Sequence, residues 1–238
     1  MPAKRQFGDR DLARVLERHL RNWEIGRAQR IELPAPQRRE VEDFISVSRA
    51  VGSGGGEVAR RLASRLSWPL FDRELLQHMA GDDEVRRRLY ESMDERDLGW
   101  FEETFRSLMD EEFPKNDYFH RLCRTVLSIA RQGSAVFLGR ATDLILPRNL
   151  GLRVRIVAPA EQCIQNYARR ENLPLNKARK EVERIERERA EFVHQHFRVK
   201  AEEQTRHDLI VNMERFTTEQ ALDLILTART LLAAPKAP

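Results

Sequence analysis

Between Val51 and Val58 the chain reads Gly52-Ser53-Gly54-Gly55-Gly56-Glu57, a run in which almost nothing but backbone can meet a ligand. With side chains absent, successive N–H groups point inward and hold the oxygens of a phosphate, the more so when a helix N-terminus opens just behind them. Matched to the phosphate-binding pattern G-x-x-x-x-G-K-S/T, the second glycine falls on Gly54, which puts Gly55 at the lysine position and Gly56 at the hydroxyl position. The loop has the shape of a phosphate cradle without its usual cation. Glu57 adds a negative charge at its end, which opposes phosphate unless a metal ion or an arginine compensates.

Cations that could compensate lie elsewhere. Arg73 follows the short apolar run Leu70-Phe71-Asp72, and Arg140 follows Ala135-Val136-Phe137-Leu138-Gly139. Both are residues just past a strand, at the edge where open α/β sheets bind their ligands. Arg140 is the leading candidate for a substrate phosphate, with pairing to Asp143 as the structural alternative. Asp72 and Arg73 are candidate substrate contacts, Asp72 being equally suited to cap the helix after it. The segment from Asn176 to His196 carries Arg179, Arg184, Arg187 and Arg189 among glutamates. It reads either as an exposed helix laced with weak ion pairs or as a lid that brings arginines over transferring phosphates. His194 and His196 are two apart, the wrong spacing for two ligands on one helical face, so no metal site is expected there.

The elements needed to position these residues are visible in the hydrophobic pattern. Phe44, Ile45 and Val47 are strand formers, and after the glycines Val58, Ala59, Leu62, Ala63 and Leu66 recur at helical spacing. Further strands are expected in the run 67–76, whose apolar part ends in charge, and at 134–138, 152–157 and 208–212. Helices are expected over 120–132, from Pro159 through Tyr167, over 176–196 and over 218–232. This alternation predicts a three-layer α/β fold, a parallel sheet of about five strands with helices on both faces.

Residues 43–238 form that domain, with a helical insertion at 80–118 and the lid helix at 174–200. Residues 1–42 are an N-terminal extension, an amphipathic helix through Leu12, Val15, Leu16, His19, Leu20 and Trp23 followed by a proline-stiffened linker. Its apolar stripe either docks on the body or makes a homo-oligomer contact, docking being preferred.

Composition narrows the classes. The 238 residues are 41% hydrophobic and 34% charged, with no run long and apolar enough to suggest a membrane helix. The start, Met-Pro-Ala-Lys-Arg-Gln, has no hydrophobic segment behind it, so no secretory signal is expected and the expected location is cytoplasmic. Cys123 and Cys163 make no disulfide framework and read as buried thiols. The formal net charge of +4 arises from interleaved signs rather than a basic stripe, so nucleic acid is not the expected partner.

Taken together, Ile45-Ser46-Val47-Ser48-Arg49, Gly52-Ser53-Gly54-Gly55, Pro69-Leu70-Phe71-Asp72-Arg73-Glu74-Leu75, Leu138-Gly139-Arg140 and Asp208-Leu209-Ile210-Val211-Asn212 resemble the cytidylate kinase-like family of P-loop nucleoside monophosphate kinases. The resemblance covers about residues 44 to 228. It implies ATP-dependent phosphorylation of a nucleoside monophosphate, CMP or dCMP, with Mg²⁺ on the donor phosphates. It also implies a loop of Gly52, Ser53, Gly54, Gly55, Gly56 and Glu57 around ATP, and a monophosphate site at Asp72, Arg73 and Arg140. Glu186, Arg187 and Arg189 match its lid. Departures are the absent lysine, Gly56 where relatives often have arginine, and Ala141 in place of the aspartate of a Gly-Arg-Asp motif. Arg49, at the loop's entrance, or a lid arginine is then expected to stand in for the lysine. Two classes stay open, an active kinase with a modified loop and a non-catalytic nucleotide-binding or regulatory protein that keeps the fold.

Overall fold

The structure, a computed structural model, describes residues 43–91, 117–200 and 203–233, together with Arg14, Val15, Glu17, Arg18, Arg21 and Glu103. Five strands, β1 (Phe44–Arg49), β2 (Leu70–Phe71), β3 (Ala135–Leu138), β4 (Leu152–Val157) and β5 (Leu209–Asn212), form one sheet in the order β2-β3-β1-β4-β5. Every pairing is parallel, so each strand returns to the same edge and helices must cover both faces. The fold is the three-layer α/β arrangement expected from the alternation of strands and helices.

Period-two alternation sorts side chains between the two faces. Ile45 and Val47 of β1, with Val136 and Leu138 of β3, face α1 (Gly55–Leu66) and the C-terminal helix. Phe44, Ala135 and Phe137 face α2 (Arg73–Gly81), α3 (Asp83–Glu91) and α4 (Asp117–Gln132). There Phe137 stacks on Phe71 at 5.6 Å and meets the edge of Phe44 at 6.5 Å, an offset and edge-on geometry that suits aromatic quadrupoles. Cys123 lies in this core, where burial pushes its thiol pKa up and leaves it inert. The short α5 (Thr142–Ile145) follows β3. Next, α6 (Ala160–Glu171) and α7 (Leu175–Phe197) pack on one another through Ile164, Tyr167, Ala178 and Val182, and Val51 of the glycine loop joins that cluster. The chain closes with α8 (Thr218–Ala233).

Of the N-terminal extension only isolated residues are described. Val15 packs against the cluster of α2, α3 and α4, and Glu17 accepts a hydrogen bond from Arg88 at 3.3 Å. The rest of that expected helix and its linker lie outside the described residues, as do 92–116 of the insertion apart from Glu103. No described helix is long and apolar enough to cross a membrane.

One strand residue departs from simple alternation. Arg153 is wholly buried, because both sheet faces are covered and a charge on β4 cannot turn to solvent. Its guanidinium donates to the carbonyls of Asp143 at 3.0 Å, Leu146 at 2.8 Å and Leu150 at 2.8 Å, and to Pro147. These are carbonyls left open at the end of α5 and in the turn after it, so Arg153 satisfies a buried loop from below. Arg153→Ala is expected to lower stability in urea unfolding by about 3 kcal/mol, because it strands several buried acceptors. Arg153→Lys, with three donors and no planar fork, should recover only part of that loss.

Candidate functional site

The loop between β1 and α1 is shaped by what packs against it. A Cβ on Gly52 would lie 2.1 Å from the carbonyl oxygen of Cys163, so α6 can approach only a glycine there, and Asn166 of α6 fixes the loop by donating to the Gly52 carbonyl at 2.9 Å. Ser53 turns its hydroxyl back, donating to the Ala50 carbonyl at 2.8 Å. Gly54, with φ of +86°, caps α1 without a side-chain bond, and nothing stands within 4 Å of a Cβ placed on Gly54 or Gly56. The loop's outer surface is therefore open backbone at a helix N-terminus, which suits anions. Glu57 is turned to Arg60 at 2.6 Å, so its charge is partly offset within α1.

Gly55 answers for the missing lysine. A Cβ there would meet the Arg49 Cβ at 2.5 Å and the Ile156 Cβ at 3.0 Å. The Arg49 stem fills the space that a side chain at position 55 would need. Its guanidinium runs on beneath Gly139, where a Cβ would lie 2.0 Å from one terminal nitrogen. Arg49 thus ties the ends of β1 and β3 together and aims a cation away from the loop into the cavity beside it.

That cavity, of about 450 Å³, opens at the carboxyl edge of the sheet beneath α7. Arg49, Arg73, Arg140, Arg155, Arg187 and Arg189 line it, against Glu186 and Glu188. Arg206 and Asp143 also reach it, but they pair with each other, the Arg206 Nε to Asp143 Oδ2 distance being 3.1 Å. Asp143 is therefore taken by Arg206, and Arg140 does not use it. Arg140 lies over the Phe192 ring at 5.3 Å, and its Nε has no hydrogen-bond partner among the described residues. The backbone around it is unusual, since Gly139, Arg140 and Ala141 all have positive φ, of +78°, +58° and +53°. A left-handed conformation costs about 1–2 kcal/mol for each non-glycine residue, and such strain is tolerated where it aims a group at a ligand.

Burial first, and the Arg189 charge second, pull the Arg49 pKa down to about 9, although Asp72 and Glu186 oppose this. Arg140 and Arg189 are lowered as well, mainly by burial, with Arg73 adding repulsion to each. An anion placed among them would reverse these effects. His207, close to the Asp143–Arg206 pair, is pushed down to about 4 by burial in spite of the neighbouring Asp143 and is neutral at pH 7. His196 is not a ligand but a core ring, stacked on Phe119 at 4.4 Å, with its pKa lowered by burial.

The expected site residues divide accordingly. Arg49, Arg73, Arg140, Arg187 and Arg189 converge on the cavity, whereas Gly52 to Glu57 do not line it and form the loop and first turn of α1 beyond Arg49. Asp72 takes the cap role that the sequence left open, its carboxylate accepting from the Leu75 N–H at 3.0 Å at the start of α2, and its charge favours the charged form of Arg49. Arg155 was not among the candidates. Its signal was available, because an arginine in the middle of a strand covered on both faces must have an internal purpose. Among the described residues no three or more His, Cys, Asp or Glu side chains gather to hold a metal ion. A divalent ion that arrives with a phosphate ligand would take its oxygens mainly from the phosphates and water, as Mg²⁺ commonly does.

A model of the cytidylate kinase-like family matches residues 44–215. No curated protein matches the chain. Among solved structures, an uncharacterized protein from Eubacterium ventriosum has a TM-score of 0.66 at 21% identity, covering 80% of this chain and 99% of that one, which shows a shared fold. The protein TT1252 from Thermus thermophilus aligns with a TM-score of 0.47 at 18% identity, over 82% and 100% of the two chains. A shikimate kinase from Bacteroides thetaiotaomicron aligns with a TM-score of 0.43 at 12% identity, over 81% and 99%.

The steric bond between positions 49 and 55 is testable without any ligand. Gly55→Ala is expected to destabilise by about 1–3 kcal/mol through overpacking. In the Arg49→Gly background most of that cost should vanish, leaving only the contact with Ile156. Thermal unfolding of the two single variants and the double variant gives the coupling, and strictly additive effects would show that Arg49 does not fill the lysine's place.

Proposed function

The chain belongs to the cytidylate kinase-like family, and from that premise we propose that it transfers a phosphoryl group from ATP to a nucleoside monophosphate, with CMP or dCMP as acceptor. The observation that carries the reading is the arginine-lined cavity at the entrance of the glycine loop, the two joined through Arg49 against Gly55 and Glu186 on Val51. One surface suits the donor's phosphates and the other a second anion, with the loop's entrance between them.

Phosphoryl transfer asks little covalent work of a protein and much positioning and positive charge. In the proposed reaction the N–H groups of Gly52, Gly54 and Gly56 hold the donor, those of Ser53, Gly55 and Glu57 being used within the loop, and the donor's γ-phosphoryl supplies the group transferred, with Mg²⁺ travelling on its phosphates. Arg73 and Arg140 receive the acceptor phosphate. Arg140 is suited to this by its Nε, which lacks a hydrogen-bond partner among the described residues, and by its backbone strain. Arg49 stands where loop and cavity meet and supplies the charge that the lysine gives elsewhere. A guanidinium offers a planar fork to two oxygens at once, which an ammonium cannot. Arg187 and Arg189 of α7 add charge from above, and α7 excludes water as it covers the cavity.

A second reading is a nucleotide-binding regulatory protein without turnover. The feature that favours it is the glycine at position 55, which removes the loop's own cation. A coupled assay with MgATP and each nucleoside monophosphate separates the two. Turnover with CMP or dCMP is expected, and Arg49→Ala should lower kcat/KM by about a hundredfold or more, the scale of losing one preorganised charge in a transition state. Nucleotide binding without turnover of any monophosphate would establish the regulatory reading instead.

A further inference from the structure

One carboxylate occupies the place where an anion should go. Glu186 of α7 accepts a hydrogen bond from the backbone N–H of Val51, at the entrance of the glycine loop. Three residues on, Arg189 donates to the carbonyl of Arg49 at 2.9 Å and lies 3.6 Å from the Glu186 carboxylate. The lid helix is thus pinned to both sides of the loop's entrance, by an acceptor on one amide and a donor on one carbonyl. Glu186 also lines the arginine cavity, and its charge favours the charged form of Arg49. It therefore lies at the junction between the loop and the cavity, among the cations Arg49 and Arg189.

A carboxylate oxygen and a phosphate oxygen make the same demand of a backbone N–H, and each is strengthened by nearby arginines. They cannot share one amide and one pair of guanidinium groups without repelling each other. We propose that Glu186 is an internal stand-in for a phosphate oxygen, which holds α7 against the loop in the ligand-free protein and must leave Val51 before a polyphosphate can seat. The inference rests on reading the loop as a phosphate cradle and concerns regulation of that same site. Its consequence is that the lid is shut when empty. An incoming polyphosphate competes with Glu186 for Val51 and the arginines and repels it once bound, so that α7 lifts from the loop entrance to admit the ligand and settles again over the cavity without the Glu186–Val51 contact. Ligand binding and lid movement become one equilibrium, with the strength of the Glu186 contact setting its position.

The test is calorimetric titration of the full chain with tripolyphosphate, free of metal and nucleoside. Glu186→Gln keeps the shape and removes the charge. Glu183→Gln, an exposed position on the same helix, makes the same change in net charge away from the loop. Glu186→Gln is expected to bind tripolyphosphate about tenfold more tightly than the wild type, the scale of a lost charge-assisted competitor, with Glu183→Gln within about twofold of it. Hydrogen exchange at Val51 in the ligand-free protein should quicken in Glu186→Gln and stay unchanged in Glu183→Gln. Equal affinities in the two variants, weaker binding by Glu186→Gln, or no binding by either would overturn the proposal. Because no nucleotide or turnover enters the measurement, a tighter Glu186→Gln stands even if the kinase assay fails. Likewise, a working kinase with equal affinities would retain its activity and lose the stand-in.

Discussion

The contact on which the site depends is that of Arg49 with two glycines. Its stem lies against Gly55 and its guanidinium beneath Gly139, so one side chain spans the end of β1, the first turn of α1 and the turn after β3. Neither glycine can carry a side chain while Arg49 keeps this path. The position of the cation and the shape of the loop are therefore one constraint. A lysine at position 55 would have to displace the arginine that fills its space, and an arginine at 49 leaves room only for glycine.

That arrangement gathers cations that a folded chain would otherwise keep apart. Arg49, Arg140 and Arg189 are partly buried close to one another, and burial and mutual repulsion together disfavour their charge. The cost is carried by the sheet, whose apolar clusters on both faces fix the strand ends from which Arg49 and Arg140 project. Where the protein needs a buried charge satisfied, it does so fully, as with Arg153 on its ring of carbonyls and Arg206 on Asp143. The contrast between the satisfied arginines below the edge and the underpaired ones at it marks where a ligand belongs.

Much of this is legible in the sequence itself. The alternation of apolar runs gave the order of elements, because strand and helix periods depend only on local spacing. The glycine loop and the strand-end arginines followed from composition and position. What could not be read is decided by contacts distant in sequence. Asp143 suited Arg140 three residues away, yet its partner is Arg206, brought over by the turn before β5. Arg153 looked like the polar half of an alternating strand, and its partners prove to be the buried carbonyls of the turn after α5. The sequence likewise showed that a lysine was missing without showing that its space was filled.

Filling that space alters the chemistry available more than a simple loss would. A cation at position 55 would lie on the loop itself, whereas Arg49 runs from the strand end to the turn of Arg140, on the cavity's side. Charge has been moved from the cradle to the junction, leaving the cradle to bind through backbone N–H groups and the helix N-terminus alone. Such a cradle holds its anion less strongly than one with an ammonium group. A weaker hold makes a competing carboxylate effective, since Glu186 needs only to match backbone hydrogen bonds and not a loop cation as well. The glycine at position 55 and the glutamate on the lid are then two parts of one device, in which the loop gives up its own charge and the lid gains control of who occupies it.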